Sequence, residues 1–359
     1  MYQHANMFRN TIYDNTRGAR QGKTFRSEGA QKIHRYVMRA CQSENQEALE
    51  NILKAIKDYV SNHSADYLLE KSANNCTHFH DILHLPFDNQ ADKVFAAHIS
   101  RRLWDVLFGE LQKRRPSHIA EMLCTRTNDG FMPLQHALAA CNTENVSALI
   151  ALLKESPDAL LANLVNKTKD GFMPLQQALA AGNPENVKAL IALLKESPDA
   201  LVVNFENRTQ DGFMPLQGAL KSGNPENVKA LITLLEGYPD ALHENLSNQT
   251  GQKFNLLHHG ALTHDKDLFF KIIHLIRKTF VYEAEDFIKT LANQKNKKGY
   301  YPRSAINKEI EDFLKSYRQP QASICPPYTP FKDGASGNRE NKRKRAATDE
   351  RPGSKKMKL

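Results

Sequence analysis

Apolar residues between 174 and 205 fall into three short stripes separated by polar turns. Leu175, Ala178 and Leu179 lie at i, i+3 and i+4, while Val187, Leu190, Ile191 and Leu194 make a second stripe; Leu201 and Phe205 mark a third. Spacings of three and four place each set on one face of an α-helix. The polar residues between the stripes agree. Pro174 and Pro184 suit first helical positions, where the missing N–H costs nothing. Asn183 is placed to cap the second helix, with Glu185 near its positive end. Gly182 supplies the left-handed residue that closes the first helix. Ser197-Pro198-Asp199 opens the third, and Asn207 to Gly212 reads as a turn. Such a unit cannot bury its stripes alone, so the pattern predicts stacked neighbours.

The neighbours are in the sequence. Asp129-Gly130-Phe131-Met132-Pro133-Leu134-Gln135 returns as 170–176 and as 211–217, a step of 41 residues. Between 129–160 and 170–201, 28 of 32 positions are identical, which puts the repeat far beyond chance. Asp170, Gly171, Pro174, Leu175, Ala178, Gly182, Glu185, Val187, Leu190 and Ile191 together resemble the ankyrin repeat. The resemblance implies an all-α ankyrin-repeat helical solenoid, here with an extra short helix per repeat to account for the long period. Two departures stand out. The family's capping Thr is Met132, Met173 and Met214, and its following His is Gln135, Gln176 and Gln217. Loss of the side-chain cap is expected to cost about 1 kcal/mol per unit.

Fainter copies flank these three. Arg39 to Asn45 mirrors Ala139 to Asn145, and Thr77-His78-Phe79-His80 resembles the T-P-L-H start of the family's first helix. Lys113-Arg114-Arg115-Pro116 aligns with Lys154-Glu155-Ser156-Pro157. Downstream, Phe254 and Leu257 fall on the period, Asp265 replaces the capping Asn, and Lys298 to Pro302 restarts the motif before a polar helix carrying Ile306, Ile310, Phe313 and Leu314. The expected organisation is therefore a polar segment at 1–27, divergent repeats at 28–128, three near-identical repeats at 129–251, a degenerate repeat and cap at 252–318, and a tail at 319–359.

The tail changes the reading of charge. The chain of 359 residues carries a formal +9, and the stretch from Lys332 to Leu359 holds ten Lys/Arg against four Asp/Glu. That stretch accounts for +6, so the body is close to neutral and high pI does not argue for a nucleic-acid-binding fold. Pro320, Pro326, Pro327, Pro330 and the following Gly and Ser leave no apolar period, which predicts disorder. Lys342-Arg343-Lys344-Arg345 and Lys355-Lys356-Met357-Lys358 stand as two basic clusters. Their spacing is similar to the bipartite nuclear import signal of the nucleoplasmin type, which implies recognition by importin-α. The plainer reading is a solvated charge run or a phosphate binder.

Other chemistry is sparse. Cys76, His78, His80, His84 and His98 are metal-ligating residue types at short spacing, but their order matches no common zinc pattern, and His80 falls on the family's turn-bonding histidine. No metal and no cofactor is expected from this pattern, and His258, His259 and His264 are discounted likewise. No G-x-S-x-G, H-E-x-x-H or P-loop occurs, so no catalytic residues are expected; an unrecognised enzyme would have to sit around 60–115. Trp104 lies on an apolar stripe and reads as core. Five cysteines at irregular spacings (Cys41, Cys76, Cys124, Cys141, Cys325) read as reduced thiols. No apolar run reaches the length of a membrane span, and the polar start of the chain does not read as a secretory signal.

Arg126, Lys167 and Arg208 occupy equivalent turn positions one period apart, with Lys169 beside them. Stacking would align them as a basic stripe facing an acidic protein partner. Specificity is expected from divergent positions, namely His78, Arg101, Arg102 and His258. The expected function is protein–protein recognition in the nucleus by a monomeric solenoid. Near-identical units, a long period and an import signal resemble ankyrin-repeat effectors of intracellular bacteria, which implies type IV secretion, a role in virulence and a host nuclear target. The alternatives are a nucleic-acid or chromatin binder acting through the tail, a cytoplasmic scaffold, and an enzyme with an N-terminal site.

Overall fold

A computed structural model of the chain describes residues 25–41, 46–83, 92–114 and 116–318. The chain divides into two units, Met1–Gln319 and Pro320–Leu359, and all described residues lie in the first. The two basic clusters of the tail, its expected disorder, the first 24 residues, His84 and Cys325 lie outside them.

The described residues form an all-helical repeat solenoid, with no strand among them. Each central unit has the three predicted helices. They are Pro133–Ala139, Thr143–Lys154 and Pro157–Leu164, then Pro174–Ala181, Pro184–Lys195 and Pro198–Glu206, then Pro215–Ser222, Pro225–Leu235 and Pro239–Ser247. Pro opens eight of these nine, at the position where a missing N–H is harmless. Asn142, Asn183 and Asn224 cap the second helices by accepting from backbone N–H groups of the first turn. Like helices pack on like: first on first, second on second, third on third. Leu175, Ala178, Leu179, Val187, Leu190 and Leu194 are fully buried by this stacking, and each such Leu contributes roughly 2 kcal/mol.

The flanks follow the same plan. Upstream lie Glu28–Cys41, Gln46–Asn62 and a 3₁₀ turn at Ala65–Leu68, then His78–Leu83, Asp92–Arg114 and Ile119–Cys124. Downstream lie Leu256–Leu262, Lys266–Phe280 and Ala284–Asn293. The last helix, Lys308–Tyr317, buries Ile310 and Leu314, but Ile306 falls before it and is 71% exposed. Trp104 is buried, stacked on Phe108 and edge-on to Phe79.

The expected loss of the side-chain cap is seen, and the extra helix compensates for it. Met132, Met173 and Met214 make no side-chain cap hydrogen bond. Instead the N–H groups of Leu134, Leu175 and Leu216 donate to Oδ1 of Asn163, Asn204 and Asn245 at 3.2, 3.1 and 3.1 Å. These asparagines sit fully buried on the third helices. Their Nδ2 groups donate back to Leu123, Leu164 and Phe205, carbonyls at the end of the preceding unit's third helix. One amide thus caps a helix start and a helix end in adjacent units. The glutamines replacing the family histidine also act as ties. Gln135 Nε2 donates to Asn166 O at 3.2 Å and Phe172 O at 2.9 Å, and Gln176 repeats this with Asn207 and Phe213.

Within the three central units, one strained position breaks the regularity. Gly182 and Gly223 close their first helices at φ +80° and +73°, whereas Cys141 does so at φ +59°. A residue with a Cβ pays about 1–2 kcal/mol there. Cys141→Gly is therefore expected to raise stability by about 1 kcal/mol, seen as a higher urea midpoint at constant slope. A lower midpoint would mean that the Cys141 Sγ contact with Ala181 O, at 3.2 Å, outweighs the strain.

Candidate functional site

Between third helix and next first helix the chain makes a tight turn, and these turns form one continuous row. In each of the central three, Thr127, Thr168 or Thr209 donates its N–H to the carbonyl of Phe131, Phe172 or Phe213. The Thr Oγ1 accepts from the same Phe N–H, at 3.0–3.1 Å. Gly130, Gly171 and Gly212 make the reversal at φ +81°, +82° and +77°. The same bonds recur at Thr250 with Phe254, at Asn296 with Tyr300, and at Ser72 with Cys76.

Adjacent turns are tied by backbone bonds. Asn128 N donates to Asn74 O, Lys169 to Asp129, Gln210 to Asp170, Gly251 to Asp211 and Lys297 to Gln252, all at 2.7–3.0 Å. The turn tips therefore cannot drift independently, and residues at matching positions form rows at a fixed spacing.

Arg126, Lys167 and Arg208 are exposed and occupy one such row. The backbone register extends it in both directions. Lys71 precedes Ser72 as Arg126 precedes Thr127, and Lys295 precedes Asn296 in the same way; both are exposed. The divergent turns lack the Asp-Gly-Phe signature, so sequence comparison missed these two lysines. Gln249 interrupts the row, its amide bonded to Gln294 Oε1 at 2.7 Å. Lys169 stands in a neighbouring row with Asn128, Gln210 and Lys297. Exposed Asp129, Asp170 and Asp211 form a third. The face is a cation row flanked by a carboxylate row, not a plain basic stripe.

Behind the tips lie half-buried Phe131, Phe172, Phe213 and Phe254. Lys221, exposed as a residue, places its ammonium 4.5 Å from the Phe213 ring centroid. Burial of that end lowers its pKa to about 8, against the pull of Asp211. His259 packs against Phe213 and Phe254, and burial, then Lys221 and His258, push it down to about 3. It is neutral at physiological pH.

Two expected specificity residues are corrected. His78 and His258 are buried, at 0% and 3% exposure, and touch no partner surface. His258 takes the place of Gln217 one unit on, with Nε2 at 3.1 Å from Tyr300 O, so its role is to tie units together. Arg101 and Arg102 stay half-exposed, paired with Asp105 and Glu50. His80 accepts from Thr77 N–H through Nδ1 and meets Thr125 O through Nε2, the turn-bonding arrangement expected of it. Among the described residues no helix is long and apolar enough to cross a membrane.

No protein-family model matches the sequence. No curated protein matches it either. Among solved structures, the crystal structure of the human ASB11 ankyrin repeat domain is similar over 69% of this chain and 100% of that one, with 14% identity and a TM-score of 0.38. A likeness of that size carries no argument; the fold rests on the turns and helices described above.

Proposed function

We propose that this chain is a non-enzymatic protein-binding solenoid whose partner docks on the row of turn tips. The observation that carries the reading is the backbone ladder, which fixes Lys71, Arg126, Lys167, Arg208 and Lys295 in one exposed row beside a carboxylate row. Rigid presentation lowers the ordering cost of binding, and fixed rows of charge favour partners with a complementary pattern. The partner is an acidic protein surface that also offers a donor to the Asp129, Asp170 and Asp211 row. The basic tail engages importin-α through Lys342, Arg343, Lys344, Arg345, Lys355, Lys356 and Lys358, and the solenoid acts as a monomer in the nucleus. Its likeness in sequence to ankyrin-repeat effectors of intracellular bacteria makes the destination a host nucleus, the route type IV secretion, and the role one in virulence.

A fluorescent fusion above the passive pore limit tests this in eukaryotic cells. The full chain is expected in the nucleus, and a chain ending at Asn341 in the cytoplasm; equal distribution of the two refutes the import signal. In the same cells, proximity labelling by the triple variant Arg126→Glu, Lys167→Glu, Arg208→Glu is expected to lose the partners marked by the parent by about tenfold, because repulsion replaces attraction at the interface. An unchanged labelled set would remove the turn row as the docking surface.

A further inference from the structure

His78 is the first residue of the helix His78–Leu83, the place held by Pro133, Pro174 and Pro215 in the central units and by Leu256 in the next. An apolar residue suits that place, since it is closed to solvent. His78 is 0% exposed there, stacked on Phe25 with ring centroids 4.2 Å apart; neither ring nitrogen makes a hydrogen bond of good geometry, though the Tyr67 backbone lies close enough to act on the ring. A buried imidazole so weakly satisfied is costly, so its presence in a proline's place calls for a reason.

The reason lies one turn on and one helix across. Asp81 is at i+3 on the same helix, 6% exposed, and His34 on Glu28–Cys41 brings Nδ1 to 3.3 Å from Asp81 Oδ2. One ligand atom from each of His34, His78 and Asp81 lies within 4.8 Å of the other two. Three donors around a tetrahedral zinc, with bonds of about 2.0–2.2 Å, stand roughly 3.3 Å apart. The His34–Asp81 pair is already at that spacing, and the His78 ligand atom lies within 4.8 Å of both, so its ring must close in by up to about 1.5 Å to complete the set.

We propose that His34, His78 and Asp81 bind one divalent cation of the zinc class, fastening the first described helix to the second unit. Two imidazoles and a carboxylate form a borderline donor set that suits zinc and leaves a fourth position for water. The half-buried side of His34 gives the cation a path in. The local electrostatics fit: both Asp81 and Glu70 act on His78 as negative charges, and Glu70 itself is held by Ser27, its Oε1 accepting from Ser27 N–H at 2.8 Å. Cys76 and His80 take no part, since Cys76 Sγ lies 3.7 Å from Asn74 O and His80 is committed to the turn.

Cobalt(II) is the probe, added to the purified full chain after chelation and dialysis. The expected result is one retained cobalt per chain with visible d–d bands and no thiolate charge-transfer band, together with a melting temperature raised by saturating metal. His78→Leu repeats the residue of a later unit and is expected to fold, as circular dichroism will show, while losing the bands and the thermal shift. Asp81→Asn keeps the shape and is expected to weaken cobalt affinity by about tenfold or more. Absence of retained metal in the parent, a thiolate band, or retention unchanged in both variants would each overturn the site and leave His78 a buried neutral histidine.

Discussion

Asn204→Ala is expected to lower the stability of the solenoid by about 3 kcal/mol, a large effect for one exposed-to-no-solvent amide. The substitution removes the acceptor for Leu175 N–H and the donor to Leu164 O. Both groups are in a buried setting, one at a helix start and one at a helix end, where no intrahelical partner exists. Each loses about 1–3 kcal/mol when left bare. Ala200 O also loses a contact, but it keeps its place within its own helix. The mechanism makes a second, sharper statement through a double-mutant cycle. Met173→Thr restores the family's own cap at the head of Pro174–Ala181. In the parent it gains less, since Leu175 N–H is taken and only Gln176 N–H is left for the hydroxyl, and it gives up buried Met173. In the Asn204→Ala background the hydroxyl finds a free donor, so the same change is expected to cost about 1 kcal/mol less. Equal costs in both backgrounds would show that Asn204 stabilises by packing alone. Urea melts of the four proteins measure this, with slopes compared to check that cooperativity survives in a repeat array.

The same amide shows where reading the sequence stopped. The three helices per central unit were legible because apolar spacing, Pro and Asn at helix starts and Gly at a helix end all pointed one way. The turn was legible too, since Asp-Gly-Phe needs a glycine at positive φ. Asn163, Asn204 and Asn245 were present every 41 residues, but nothing local says that an Asn late in a short helix caps a different helix. That pairing exists only once the third helix folds back on the first. Lys71 and Lys295 escaped for a related reason. Their turns, Ser72–Cys76 and Asn296–Tyr300, share backbone hydrogen bonds with the central ones but not the letters, so register became visible only through those bonds. His78 was read as a specificity determinant because it departs from the repeat pattern in a divergent unit; its helix position, equivalent to Pro133, puts it in the interior instead. His34 and Asp81 carried no signal of their own, being ordinary polar residues on amphipathic helices that the packing brings to His78.

Gly171→Ala and Gly182→Ala are expected to differ sharply, although both residues hold nearly the same backbone angle, φ +82° and +80°. At Gly182 an added Cβ would meet nothing within 4 Å. The cost is then conformational alone, about 1 kcal/mol. At Gly171 the Cβ would stand 2.9 Å from Gln210 N and 3.0 Å from Thr209 Cα. Both are backbone atoms of the next turn, so no rotamer change relieves the clash and the turns must separate. Overpacking adds about 1–3 kcal/mol to the conformational cost, for a total of about 3 kcal/mol. The displaced bond is Gln210 N–H to Asp170 O, one rung of the ladder that holds Lys167 and Arg208 in register. Gly171→Ala should therefore weaken partner binding as well as folding, whereas Gly182→Ala, away from the ladder, should leave binding intact at temperatures where the protein stays folded. Comparing urea midpoints and partner affinity for the two variants separates the cost of a left-handed residue from the cost of breaking the row. Similar losses in both would mean that the turn tips tolerate displacement, and that their rigidity is not what the partner reads.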